Sequence, residues 1–240
     1  MGFAGVCVAT VSDLADPEGE ARVMLEFPML PNGPKSSWAP LARPYAGDNR
    51  GMYYMPEVGD EALVAFEHGD FDHPFVIGFL WNGSDKPPVD DIDEHVRRIR
   101  TRSGHLFDMD DRDGGTAIVI KTAGGNTIEL RDNADDVHIT IATTGGNTIE
   151  LSDKPGSSHI SLSTTAGQKV EIADAPVPSI TVSAAMGQVK VECLQATIQA
   201  SSMLSVTAPM TTFSGVVQAQ TVIATSVVST SYTPGVGNIW

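Results

Sequence analysis

The octapeptide Gly125-Asn126-Thr127-Ile128-Glu129-Leu130-Arg131-Asp132 returns as Gly146-Asn147-Thr148-Ile149-Glu150-Leu151-Ser152-Asp153, and more loosely as Gly167-Gln168-Lys169-Val170-Glu171-Ile172-Ala173-Asp174, each time 21 residues on. A second block keeps step with it: Ile118-Val119-Ile120, Ile139-Thr140-Ile141, Ile160-Ser161-Leu162 and Ile180-Thr181-Val182, the last spacing being one residue shorter. Fixed periods of about 20 to 50 residues mark solenoids and stacked arrays. Each unit holds two short apolar-polar alternations, divided by Gly-Gly-Asn on one side and an Asp-centred turn on the other, which is the pattern of strands and turns.

Side chains alternate across a strand, so Ile139 and Ile141 share one face while His138, Thr140 and Ala142 share the other. The predicted core positions are Ile118, Ile120, Ile128, Leu130, Ile139, Ile141, Ile149, Leu151, Ile160, Leu162, Val170 and Ile172. Roughly four large inward side chains per unit are few for a coil that must fill its own interior. Three chains about one axis triple that supply, and cyclic closure removes exposed strand edges. The count therefore favours an intertwined trimeric β-helix over a single-chain solenoid.

The first 88 residues have another texture. Alternating stretches at residues 5–12, 21–27, 37–43, 61–67 and 75–80 are separated by Gly-, Pro- and Asp-rich turns. Five strands in so short a span predict a small closed barrel of the OB type. Such barrels often bind single-stranded nucleic acid through a basic groove. Residues 1–88 hold only five basic residues against thirteen acidic, and the whole chain carries a formal charge of −15, which argues against nucleic acid and anionic lipid as partners.

Trp38-Ala39, Pro44-Tyr45-Ala46-Gly47, Gly51-Met52-Tyr53-Tyr54-Met55-Pro56, Val58-Gly59-Asp60-Glu61-Ala62-Leu63-Val64-Ala65-Phe66 and Gly78-Phe79-Leu80-Trp81-Asn82-Gly83 closely resemble the OB domain of central spike proteins in contractile injection machines. That family takes in the valine-glycine-repeat spikes of type VI secretion, contractile-phage baseplate spikes and those of extracellular phage-tail-like particles. The matching positions are Trp38, Tyr45, Gly47, Gly51, Pro56, Gly59, Asp60, Gly78 and Asn82, and the likeness runs from about residue 5 to 153. Arg100-Thr101-Arg102-Ser103-Gly104-His105 is similar to the family's passage into its trimeric β-helix.

The resemblance implies an all-β chain: an OB-fold domain at 1–88, a linker and lead-in strand at 89–102, a trimeric β-helix shaft at 103–231 and a tip segment at 232–240. It implies a homotrimeric membrane-puncturing spike driven by sheath contraction, with a separate hub or baseplate protein at the OB end. A separate conical, PAAR-like tip protein at the other end and cargo effectors are further implied partners. Relatives carry a fused hub or lysozyme domain; the chain starts at the OB unit and passes directly into repeats, so separate partners and no enzymatic activity are expected. Synthesis in the bacterial cytoplasm and incorporation into a contractile particle follow, since residues 3–11 read as a strand rather than a signal peptide.

Several segments carry two readings. Arg97, Arg98, Arg100 and Arg102 form either a basic collar for acidic partner surfaces or phosphate, or charge pairs across a threefold axis with Asp108, Asp110, Asp111 and Asp113, the commoner fate. From residue 193 onward there is no charged residue and no histidine, and the Ser/Thr/Val/Ala alternation suits a narrow rod buried in an assembly. The last nine residues break that pattern; Tyr232, Ile239 and Trp240 are candidates for docking a tip protein, against a frayed terminus.

No catalytic signature is found: no Gly-x-Ser-x-Gly, no His-Glu-x-x-His, no phosphate loop and no dinucleotide fingerprint. Asp108-Met109-Asp110-Asp111-Arg112-Asp113-Gly114 has Arg112 where a calcium loop needs a ligand, and reads as a β-turn. His138 and His159 recur at matching places and would form two rings in a trimer, but they fall on the outward face and no metal is assigned to them. Some spikes of the family hold iron through His-x-His at the apex, a pair that is missing here, so no cofactor is expected. Cys7 and Cys193 are too few for a disulfide framework. The rivals to a spike are a monomeric surface- or carbohydrate-binding β-solenoid and a polysaccharide lyase on a right-handed β-helix.

Overall fold

A computed structural model describes residues 5–231. The chain divides into two compact units, residues 1–189 and 190–240. Among the described residues the structure is almost wholly β, with one short 3-10 turn at Glu67–Gly69.

Strands β1 (Val6–Asp13), β2 (Met24–Glu26), β5 (Glu61–Phe66) and β6 (Pro74–Leu80) form an antiparallel sheet in the order β2-β1-β5-β6. Alternation buries Ala9 and Val11 from β1, Ala62, Val64 and Phe66 from β5 and Val76 from β6 around Val23, Leu25 and Phe27. Phe27, Phe66 and Phe71 meet with ring centroids 5.1 to 5.9 Å apart.

Residues 37–43, expected as a strand, make only isolated bridges: Val23 with Ala39, and Leu41 with Val76. Pro40 has no N–H to extend a ladder. The segment still joins the two free sides of the sheet. Val23 and Ala39 exchange bonds of 2.9 and 2.8 Å, while Val76 N–H donates to Pro40 (3.0 Å) and Ala42 N–H to Val76 (2.8 Å). A hairpin not foreseen, β3 (Ala46–Gly47) with β4 (Arg50–Gly51), projects from this domain.

The repeats form nine consecutive antiparallel strands in one sheet: β7 (Val96–Arg100), β8 (Leu106–Asp110), β9 (Ala117–Lys121), β10 (Thr127–Asn133), β11 (Asp136–Ala142), β12 (Thr148–Ser152), β13 (His159–Ser163), β14 (Gln168–Ala173) and β15 (Ser179–Ala184). One 21-residue period is therefore two strands and two turns. Each strand pairs with the next in sequence, so the sheet is an open meander rather than a coil. Two further strands, β7 and β8, continue the array upstream of the octapeptide consensus.

The glycine-bearing turns are built alike. In residues 101–105, 122–126, 143–147 and 164–168, the glycine N–H donates to the carbonyl of the leading threonine, at 2.8 to 2.9 Å. The same threonine hydroxyl accepts the N–H of the fifth residue, at 3.0 to 3.3 Å. Gly104, Gly125, Gly146 and Gly167 all hold φ between 85° and 95°, a region that side-chain-bearing residues avoid.

Residues 190–231 contain no strand and no backbone–backbone hydrogen bond among the described residues.

Candidate assembly surface

The nine strands align their apolar residues into two unbroken ladders on one face. One runs Met109, Ile118, Leu130, Ile139, Leu151, Ile160, Ile172, Ile180, headed by Arg97 on β7. The other runs Ile99, Phe107, Ile120, Ile128, Ile141, Ile149, Leu162, Val170, Val182. All twelve positions predicted from the repeat fall in these ladders.

None of the twelve is buried within the chain, each remaining 36–48% exposed. Full burial of such a side chain contributes about 1.5–3 kcal/mol, so covering the exposed two-fifths is worth roughly 1 kcal/mol each. Over twelve positions that is on the order of 10 kcal/mol per chain, comparable with the net stability of a whole domain. A contiguous apolar face of this extent marks an interaction surface.

The opposite face carries charge pairs formed within the chain, though Asn133 Oδ1 is buried there without a hydrogen-bond partner among the described residues. Arg98 holds Asp108 through two bonds (Nε–Oδ1 3.1 Å, Nη2–Oδ2 2.6 Å), and Arg131 pairs with Glu129 and Lys169 with Glu171. Lys169 thereby holds the Glu171 carboxyl below its ordinary range. His138 Nδ1 lies 3.0 Å from Asp136, and His159 Nε2 lies 3.7 Å from Glu150. In register, Ser152 stands between the two histidines. No cluster of three metal-ligating side chains occurs among the described residues.

Three of the four arginines of the lead-in segment take partners within the chain. Arg98 turns to Asp108, Arg102 reaches Glu57 at 2.7 Å, and Arg97 donates to the Glu94 carbonyl. Of the expected pairs with the neighbouring aspartates, Arg98–Asp108 forms within one chain. Of the segment read as a β-turn, Asp108 to Asp110 instead end strand β8, and the turn follows them; Arg112 binds Asp110 and draws its carboxyl down to about 2.

The positions that carry the OB resemblance are dispersed and shape turns. Gly59 (φ 105°) donates to Val11 at 2.9 Å, and Asp60 accepts the Glu57 N–H at 2.8 Å. A side chain at Gly51 would meet the Tyr45 carbonyl at 2.8 Å, and a side chain at Gly47 would meet Arg50 Nε at 2.8 Å. Asn82 Oδ1 accepts the N–H groups of Ser84 and Asp85, both at 2.8 Å. Pro56 is buried, Trp38 and Gly78 are half-buried and Tyr45 is exposed. Tyr232, Ile239 and Trp240 lie outside the described residues.

Residues 7–81 match the family of the type VI secretion system/phage-baseplate injector OB domain, and residues 138–207 match the phage baseplate V C-terminal trimerisation domain. The chain belongs to the injector-spike family. Among curated relatives, the actin cross-linking toxin VgrG1 of Vibrio cholerae is 32% identical over 118 residues, 43% of this chain and 10% of that protein. The type VI secretion system spike protein VgrG3 of Vibrio cholerae is 29% identical over 133 residues, 48% of this chain and 13% of that protein. VgrG1a of Pseudomonas aeruginosa is 32% identical over 59 residues, 25% of this chain and 9% of that protein. This spike-family chain thus spans about a tenth of the length of those relatives. The trimerisation match begins on β11 and covers the middle and lower rungs of both apolar ladders. No helix among the described residues is long and apolar enough to cross a membrane.

Proposed function

We propose that the chain is a homotrimeric, non-enzymatic spike of a contractile injection machine, whose three sheets close apolar face to apolar face into a rigid shaft. The observation that carries this is the pair of apolar ladders, eight and nine strands long, left open on one face and overlapping a match to a trimerisation domain. A monomeric sugar-binding solenoid must coil on itself, whereas these strands run as an open antiparallel meander.

In this reading the OB domain seats on a separate hub or baseplate protein, and the distal end meets a separate tip protein through Tyr232, Ile239 and Trp240. Sheath contraction loads the shaft along its length, and the continuous hydrogen-bonded ladders of three sheets bear that load together, so the shaft yields only cooperatively. Piercing is mechanical work and needs no catalytic group.

Multi-angle light scattering of the purified chain tests the reading. A mass of three times the 25.4 kDa chain is expected, and a mass of one chain rejects it. Co-purification from the native particle should bring down a hub protein and a small conical tip protein.

A further inference from the structure

The two long edges of the repeat sheet are chemically unlike, yet they share one period. Along one edge stand Asp111, Asp132, Asp153 and Asp174, spaced 21 residues apart. Each lies two residues beyond a ladder position (Met109, Leu130, Leu151, Ile172), so alternation sets it on the apolar face. Their backbone N–H groups donate to His95, Thr116, Val137 and Ser158, at 3.0 to 3.3 Å. Their carboxylates are exposed and have no hydrogen bond or ion pair among the described residues.

The other edge carries the four glycine turns. Within each, the fourth and fifth N–H groups are bonded inside the turn. The second N–H of three turns is taken by the turn before: Ala123 donates to His105 Nδ1 (3.3 Å), Thr144 to Asn126 Oδ1 (3.0 Å) and Thr165 to Asn147 Oδ1 (3.4 Å). What remains is the third N–H, on Ser103, Gly124, Gly145 and Ala166, again 21 residues apart and without an acceptor among the described residues.

A closed ring of three identical copies joins unlike edges, because its interfaces are heterologous. We propose that at each corner of the trimer the aspartate column of one copy accepts hydrogen bonds from the turn N–H column of the next. This rests on the trimer reading and adds the chemistry that fixes how the sheets meet. Carboxylates facing oriented backbone N–H groups form charge-assisted bonds. Both columns advance by two strands, about 9.6 Å, so one pair in register sets all of them. The ladders of near-uniform Ile, Leu and Val discriminate axial slips poorly. A one-strand slip, by contrast, would set every carboxylate against a gap between turns.

Engineered cysteines test this in a Cys7→Ser/Cys193→Ser background. Asp132→Cys is combined with Gly124→Cys or with Gly145→Cys; a side chain at either glycine meets no atom closer than 3.9 Å, and neither has positive φ. Gly124 lies in the turn before β10 and Asp132 near that strand's far end, so the extended run 127–132 alone holds them roughly 17 Å apart and a disulfide within one chain is out of reach. After oxidation, at least one pair should give covalent trimers on a denaturing, non-reducing gel, while each single variant runs as a monomer. If the protein weighs three chains by light scattering and neither pair cross-links, or Asp132→Cys cross-links to itself, the edge pairing is overturned and the trimer stands. A native mass of one chain overturns both.

Discussion

The repeat sheet and the segment that follows it solve the same backbone problem in opposite ways. Residues 96–184 pair every strand with the next within one chain, and leave open an apolar face and one N–H in each glycine turn. Residues 190–231 leave the backbone itself without internal partners, with Leu194, Ile198, Phe213 and Val228 between 69% and 106% exposed. Backbone N–H and C=O groups demand partners wherever water is excluded. In the sheet, association supplies a core to secondary structure that already exists; in the distal segment it must supply the secondary structure too. The first region can order alone, and the second is expected to order only between copies.

The most disruptive test of that contrast is a charge in the middle of a ladder. Ile141→Asp should convert the trimer to single chains by light scattering, losing roughly 1 kcal/mol per chain of burial on association before the larger cost of desolvating a carboxylate is counted. Circular dichroism should still report strands, because the meander's own hydrogen bonds survive. If the variant stays trimeric, the ladders are not the interface.

Hydrogen exchange compares the two regions directly. In the trimer both should be protected, whereas in Ile141→Asp the amides of 96–184 should keep most of their protection and those of 190–231 lose about a thousandfold or more, equivalent to about 4 kcal/mol. Equal loss across both regions would erase the distinction.

A smaller effect separates turn geometry from assembly. Gly146→Ala forces a side chain into φ 85° and within 2.7 Å of Thr165 Oγ1, and should cost roughly 1 kcal/mol or more in a thermal melt. Gly124→Ala, with open space and no positive φ, should be close to neutral.

The smallest effect lies in the OB domain and is expected to be independent of assembly. The Asp16 carboxylate accepts N–H bonds from Glu18, Glu20 and Arg22 and a two-point contact from the Arg22 guanidinium. Arg22 holds that carboxyl well below the usual carboxylate range. A depressed native value means the stabilisation is complete above the unfolded value, about pH 4, and is lost as pH falls toward the native one. The melting temperature of the OB domain should therefore drop between pH 5 and pH 2, and Asp16→Asn should flatten that part of the profile.

Most of the repeat sheet was legible from sequence because a period of two, reinforced every 21 residues, leaves one register for the Ile and Leu positions. The lead-in strands were less so. Arg97-Arg98-Ile99-Arg100 shows a run of charge, and its membership of the array is visible only in the Thr101 to Gly104 turn, whose Thr-x-x-Gly spacing repeats at Thr122 and Thr143. In the OB domain, residues 37–43 alternate like a strand, but Pro40 limits them to bridges, a tertiary outcome that alternation does not encode. The edge aspartates were present in the octapeptide from the start, as its last letter. They read as turn residues until the register placed them beside the ladders.

Because each strand of the repeat sheet pairs with its immediate neighbour in sequence, a newly made chain can zip up this region locally and fast. It then waits as a half-finished object with a bare flank, vulnerable to random sticking until two siblings arrive. Yield of the finished trimer is thus a race decided by local copy number during synthesis, and polysomes translating one message hold the natural advantage.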